Sequence, residues 1–265
     1  STLTGGYRYA RELLAALAAA GVGVGVHRLA DTFPFPSAGD LAEAHRLFAA
    51  VPDGALVVVD GLAFGAMPAL ARFHGQRLRL VALVHHPLAL ETGLSPAQAT
   101  RLHGDEQRAL AAARAVIVTS PSTGATLTSA YGVPPDRITV ILPGVARRPP
   151  APVPPLASAS GTPQAGRTLT LVCVATLTPR KGHDDLIAAL AGLPERRARA
   201  WRLLCVGSDR RDPAHAARLR AQVAACGLGE RVHFSGELDE AAVDRVLAGA
   251  DGFVPASTLG SDYYR

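Results

Sequence analysis

Lysine is almost missing from this chain. Of its 27 basic residues only Lys181 is a lysine, and the rest are arginines. Aromatic side chains are also scarce, at 5%, while alanine and arginine are heavily used. That bias is the mark of a GC-rich coding sequence, and it weakens the meaning of any single Ala or Arg. Cysteine is limited to Cys173, Cys205 and Cys226. None lies in a C-x-x-C pair, and each sits in an apolar or helical setting. They read as small buried side chains and fit a reducing cytoplasm. Long hydrophobic runs are lacking too. The longest, from Leu13 to Val26, is shorter than the ~20 residues that span a bilayer, and it breaks at Ala20-Gly21 as a helix followed by a strand would. Neither a signal peptide nor a transmembrane segment is read. The net charge of +5 and the pI of 9.6 admit nucleic acid, an anionic membrane or anionic substrates. The arginines are scattered, however, with no dense basic tract and no aromatic-basic interleaving, which argues against nucleic acid.

What is present is alternation over 265 residues, enough for one large domain or two ordinary ones. "TGGYRYARELLAALAAAG" predicts a glycine-rich turn and a helix stopped by Gly21. "VGVGVHRL" alternates as a strand. "GALVVVDGLAF" and "RLRLVALVHH" are the apolar runs of strands buried on both faces of a parallel sheet. A helix starting at Ser95-Pro96, the strand "VIVTSP", a helix ended by Gly132 and the strand "RITVILPGV" follow. Residues 147–167, "RRPPAPVPPLASASGTPQAGR", are rich in Pro, Ala, Ser and Gly without periodicity and read as a linker. The alternation then restarts from "TLTLVCVATL" to "DGFVPAS". The expected organisation is α/β: one Rossmann-like domain over 1–146, the linker, and a second over 168–265. The chain opens without a strand before its glycine-rich turn and stops soon after "VPAS", so both ends are expected to be truncated and the second domain incomplete.

The solitary lysine falls in "VATLTPRKGHDDLIAAL", where a strand gives way to a helix. Ligands of open α/β sheets bind outside the carboxyl ends of the strands. A helix start there offers free N–H groups and partial positive charge. Arg180 can fork onto phosphate oxygens, Lys181 adds a compact point charge, and Gly182 permits close approach. Together they would form a diphosphate clamp. An Arg-Lys pair before a helix is as often a solvated turn, and the rarity of lysine shifts the balance towards the clamp. Asp184 and Asp185 read as first-turn acids complementing the helix dipole. In "VHHP", His85 and His86 end a buried strand and must point to opposite faces. Without a carboxylate or thiolate partner set they do not read as metal ligands.

Several segments in order carry a resemblance: "TGGYRYARELLAAL", "LVALVHHP", "DEQRALAAARAVIVTSPSTGATLTSAYGVPPDRITVILPGV", "VATLTPRKGHDDLIAAL" and "VHFSGELDEAAVDRVLAGADGFVPAS". Over nearly its whole length the chain resembles the family-4 type (glycosyl transferases group 1) of glycosyltransferases with the GT-B fold. The resemblance implies two Rossmann-like domains facing a cleft, the carboxy-terminal one holding a nucleotide-diphosphate sugar and the amino-terminal one the acceptor. It implies a hexosyltransferase, retaining in stereochemistry, acting on a glycan, a lipid-linked sugar or a small molecule. Arg180 and Lys181 match the basic pair on the donor diphosphate, where they would stabilise the leaving group. Two cations can replace a divalent ion in that role, so neither a metal nor another cofactor is expected. Gly5 and Gly6 match the glycine loop reaching the donor from the other domain, and His85 the histidine near the transferred sugar. Gly207, Ser208, Glu237 and Leu238 match donor-side positions. His86 and Glu91 are acceptor-side candidates.

The chain departs from the family after "VPAS", where a Glu-Gly segment and a further glutamate are expected. No glutamate follows Glu240, and Asp262 alone supplies an acid in the tail. A catalytically inactive GT-B remnant that binds nucleotide or glycan as a scaffold is therefore the alternative. A nicotinamide dehydrogenase fits poorly, because the glycines of "GVGVGV" lie within the expected strand instead of after it. A cytoplasmic location, with peripheral association at the inner membrane face, is compatible with the basic charge.

Overall fold

The computed structural model describes residues 5–91, 93–144, 168–194 and 200–257. The chain divides into two compact units, Ser1–Val145 and Ala146–Arg265. Residues 147–167, expected as a linker, lie outside the described residues, as does the tail from 258 onward with Asp262.

The first unit opens with helix α1 (Gly5–Ala19). Gly21, at φ 74°, closes it: Gly21 N–H donates to Ala18 O and Val22 N–H to Leu17 O, which satisfies carbonyls the helix end would leave orphaned. The glycine-rich turn expected at the start is instead helical, with Gly5 and Gly6 in the first turn of α1. The strand expected at "VGVGVHRL" is a second correction. Residues 22–29 form no strand, and Val22, Val24 and Val26 are exposed at 49%, 47% and 65%. Alternation supplies a strand only one face. The ladder needs a neighbouring strand, and none of those described pairs with this segment.

Helix α2 (Ala38–Ala49) is not among the expected elements, although Leu41, Ala44 and Phe48 recur at helical spacing. It is started by a reciprocal cap in which Ser37 and Asp40 satisfy each other's backbone N–H. Strand β1 (Leu56–Asp60), the short α3 (Gly61–Phe64), α4 (Pro68–His74), β2 (Arg79–Val84), α5 (Pro96–Ala111), β3 (Ala115–Val118), α6 (Pro121–Tyr131) and β4 (Ile138–Val140) follow. The four strands form a parallel sheet in the order β1-β2-β3-β4. Leu80, Val84, Val116, Phe64, Leu110 and Leu127 fill its core. Each such side chain contributes ~1.5–3 kcal/mol by leaving water.

The second unit contains β5 (Leu169–Val174), α7 (His183–Ala191), β6 (Trp201–Val206), α8 (Pro213–Ala225), β7 (Val232–Gly236), α9 (Glu240–Ala248) and β8 (Gly252–Phe253). Its sheet is also parallel, in the order β7-β6-β5-β8. The chain therefore steps outward from β5 through β6 and β7, then returns to the other side of β5. Cys173, Leu203, Cys205, Ile187, Leu219 and Trp201 form the core. The buried reading holds for Cys173 and Cys205, whereas Cys226, just past α8, is exposed.

Candidate functional site

Reversal of strand order makes the carboxyl end of β5 a topological switch point, where loops leave in opposite directions and open a crevice. The segment after β5 runs into that opening. Ala175 N–H donates to Val206 O and Leu177 N–H to Ser208 O at 3.0 Å, so the loop is pinned to the end of β6. Gly207 N–H in turn donates to Gly236 O at the end of β7. Thr178 starts a tight turn over Pro179–Lys181, and Gly182, at φ 64°, ends it and starts α7. A side chain at Gly182 would strain that left-handed backbone. Gly207 is required for a different reason: a Cβ there would stand 2.0 Å from Ala175 O.

These constraints place Arg180, Lys181, Gly207, Ser208, Glu237 and Leu238 at the carboxyl ends of three adjacent strands. Arg180 and Lys181 are half-buried, Glu237 is exposed, and Leu238 is partly covered. The first residue of α7, His183, is fully buried. Burial first, then the neighbouring His215 and Lys181, hold its imidazole down at about 4 against an opposing pull from Asp184. It is thus neutral in ordinary conditions, and the positive charge at this helix start belongs to the Arg-Lys pair. Burial raises the pKa of the Cys173 thiol, with Lys181 a minor opposing pull, and its Sγ lies 3.6 Å from His183 Nε2.

In the first unit the corresponding edge holds His85, just past β2. Its Nε2 lies 3.9 Å from Asp60 Oδ2 at the end of β1, and Tyr9 of α1 meets its ring edge-on at 5.1 Å. Burial lowers the His85 pKa, partly opposed by Asp60, so the ring is a neutral donor-acceptor. Tyr9 brings the start of α1, with Gly5 and Gly6, to this edge. His86 takes another direction, its Nε2 3.3 Å from Leu90 O, and Glu91 is exposed. Ser120 caps α6 through Thr123 N–H, and Thr123 Oγ1 donates to His85 O at 3.5 Å.

Three residues at or behind this edge escaped the sequence reading. Asp60 carried a signal, since it terminates a buried strand at the ligand end. Tyr9 is one helical turn past Gly5 and Gly6. Glu106 looks like an ordinary surface acid in "DEQR", yet it is fully buried. It shares a helix face with Leu102, Ala109 and Leu110, so period alone marks it as inward. Its Oε2 accepts the Leu88 N–H at 2.9 Å, which anchors the loop following His85, His86 and Pro87. Burial raises its pKa to about 7, against smaller opposing pulls from Leu88 and Tyr131.

Two family models match successive stretches of the chain. Glycosyltransferase Family 4 matches residues 55–147, and Glycosyl transferases group 1 matches residues 161–260. The chain belongs to the GT-B glycosyltransferases. Solved structures agree on the fold. Sucrose-phosphate synthase from Thermosynechococcus elongatus aligns with a TM-score of 0.65 and 21% identity, over 99% of this chain and 71% of that one. HepE from Anabaena, in complex with UDP and glucose, aligns at 0.60 and 20%, over 93% and 64%. The lipopolysaccharide outer core galactosyltransferase WaaB aligns at 0.55 and 17%, over 82% and 54%. The chain thus spans roughly half to two-thirds of the length of HepE and WaaB. No curated protein matches it by sequence. Within the GT-B family assignment, the first model falls on the unit carrying His85 and the second on the unit carrying Lys181. Among the described residues no helix is long and apolar enough to cross a membrane.

Proposed function

We propose that the protein transfers a hexose from a nucleoside-diphosphate sugar to a glycan, lipid-linked or small-molecule acceptor, with retention of configuration. The observation that carries this is the placement of Arg180 and Lys181 at the switch point of the second sheet, on the start of α7. The N–H groups of a helix start and two half-buried cations lie together there, the chemistry a diphosphate calls for. As the bond from sugar to diphosphate breaks, negative charge grows on the leaving phosphate. The Arg180 fork and the Lys181 ammonium stabilise that charge more than the ground state, and so accelerate the step. In this scheme the two cations supply the charge that a divalent ion would otherwise bring. Glu237 and Leu238 sit where they can hold the base, and Gly207 and Ser208 present backbone to the donor. His85, neutral and held by Asp60 and Tyr9, hydrogen-bonds a hydroxyl of the transferred sugar. His86 and Glu91 are acceptor-side residues. The HepE structures hold UDP and UDP-glucose, which supports a nucleotide-sugar donor as a class. The site of action we assign is the cytoplasm, with the acceptor reached there or at the inner membrane face.

Calorimetric titration with UDP, GDP and their glucose and mannose derivatives tests the proposal. One nucleotide is expected to bind at micromolar strength, and Arg180→Ala/Lys181→Ala to lose ~1.5 kcal/mol or more of binding free energy, the scale of lost charge-assisted bonds. Nucleotide binding without sugar transfer in an acceptor screen would move the assignment to a nucleotide- or glycan-binding scaffold. Absence of binding by a folded chain would overturn both.

A further inference from the structure

The first unit has a second charged edge, at the opposite ends of the strands that lead to His85. A cavity of about 660 Å³ opens there, lined by Gly75 to Arg79, Ala111 to Arg114, and Asp136 and Arg137. Four arginines and a single acid face it. Arg77 is already committed: its Nη1 donates to Val51 O and Asp53 Oδ1, both at 2.7 Å, and its Nη2 to Phe48 O. Arg79, Arg114 and Arg137 form no ion pair among the described residues. Elsewhere on this unit exposed arginines do find acids: Arg28 pairs with Asp31, Arg46 with Glu43, and Arg101 and Arg108 with Asp105.

Backbone geometry gathers the three arginines at one end of the sheet, where all three line the cavity. Arg79 is the first residue of β2, Arg114 directly precedes β3, and Arg137 directly precedes β4. The register pairs Val81 with Ala115 and Val116 with Ile138. Neighbouring strands lie ~4.8 Å apart, so the three stems leave from about 10 Å of sheet edge. The same register sets Arg137 in phase with Arg79 on one face and Arg114, level with Leu80, on the other. Gly75 permits the wall of the cavity, because a Cβ there would stand 2.8 Å from Ala71 O and 3.0 Å from Ala112 O. All three are exposed, and the mutual repulsion that water leaves unscreened falls when an anion sits among them. Planar guanidinium forks match phosphate oxygens.

We infer that this cavity binds a phosphate-bearing anion of two or more negative charges, either a free phosphate compound or the headgroup of an anionic lipid. Because it lies at the amino ends of the strands, it can be filled independently of the carboxyl edge that carries His85.

The test titrates the ¹⁵N-labelled chain with pyrophosphate and follows the amides of Arg79, Ala113 and Arg137. Saturable shifts are expected there, separate from any at Lys181 and Gly182. Arg79→Gln/Arg114→Gln should weaken binding at these amides at least tenfold, while Arg101→Gln/Arg108→Gln, which removes the same charge elsewhere, leaves it unchanged. In a second arm, sedimentation with phosphatidylglycerol vesicles is compared with phosphatidylcholine vesicles. Anionic vesicle binding lost in the first double variant and kept in the second assigns a lipid headgroup. Pyrophosphate binding without vesicle binding assigns a free compound. Equal weakening by both double variants would reduce the effect to net charge and overturn the site, as would the absence of any local response to either probe.

Discussion

The first unit buries a carboxyl, Glu106, and the second buries an imidazole, His183, so acid acts on the two groups in opposite directions. Both are fully shielded from water, and in both burial is the leading cause of the shift. Burial disfavours the charged form, which is the base form of one and the acid form of the other. Glu106, raised to about 7 from an ordinary 4.5, binds protons more tightly folded than unfolded. Its contribution to stability is therefore largest in acid and is lost as pH rises from about 4.5 to about 7. His183, lowered to about 4 from 6.5, weakens the fold as pH falls through that window. Each leg amounts to at most ~3 kcal/mol. The positions differ as well. Glu106 holds the loop behind a sheet whose strands step one way, whereas His183 is the first residue of the helix at a sheet's reversal. A group buried behind a site can thus set its pH response without touching a ligand.

The sharpest way to break this comparison is steric. Gly207→Ala places a Cβ 2.0 Å from the Ala175 carbonyl, and overpacking against backbone leaves no side chain to yield. A loss of ~3 kcal/mol or more is expected. The only tryptophan of the chain, Trp201, is buried in the second unit, so its fluorescence in a urea titration reports that unit. The counterpart at the edge of the first unit, Gly61→Ala, meets Leu83 O at 2.9 Å and should cost clearly less by far-UV circular dichroism. An equal or larger cost at Gly61 would remove the asymmetry.

Next in size is the titration itself. Glu106→Gln keeps an acceptor for the Leu88 N–H and cannot ionise. It should stabilise the first unit by up to ~2–3 kcal/mol at pH 8 and by almost nothing at pH 4, measured by amide exchange along β2 and α5. His74 and His85, whose pKa values burial lowers, oppose this trend in the parent unit, and the difference between parent and variant cancels them. His183→Gln should flatten the acid-side loss reported by Trp201 between about pH 6.5 and 4. A parallel response of both units to pH in these variants would refute the opposed-titration account.

The smallest effects are at the caps. Ser95→Ala at α5 and Asp239→Ala at α9 remove side-chain acceptors for the N–H groups of Gln98 and Ala242. Each is expected to cost ~1 kcal/mol, seen in the first unit for Ser95 and in the Trp201 signal for Asp239. A cost that crosses between units would show that they unfold as one.

Most elements were legible because their signals are local. Ser95-Pro96, Gly132 and the apolar runs of β1, β2, β5 and β6 marked their own boundaries, and the strand-to-loop junction at Lys181 could be read from its neighbours alone. The failures share a cause. "VGVGVHRL" had the right period but no pairing partner among the described strands. Gly5 and Gly6 suggested a turn, and the helix absorbed them. Glu106 was masked by the polar residues around it, although its spacing from Leu102 and Leu110 placed it on the buried face.

The chain's own order of residues determined that parallel α/β units form, that Arg180 and Lys181 meet a helix start, and that His85 ends a buried strand, since propensity, caps and period act over a few residues. Tertiary structure alone decided that β8 returns beside β5 to make a switch point, and that Asp60 and Tyr9 converge on His85. It alone decided too that Glu106 and His183 lose their water, and that three arginines from separate strands share one edge. Those outcomes depend on strand order and burial, which arise only when distant segments pack together.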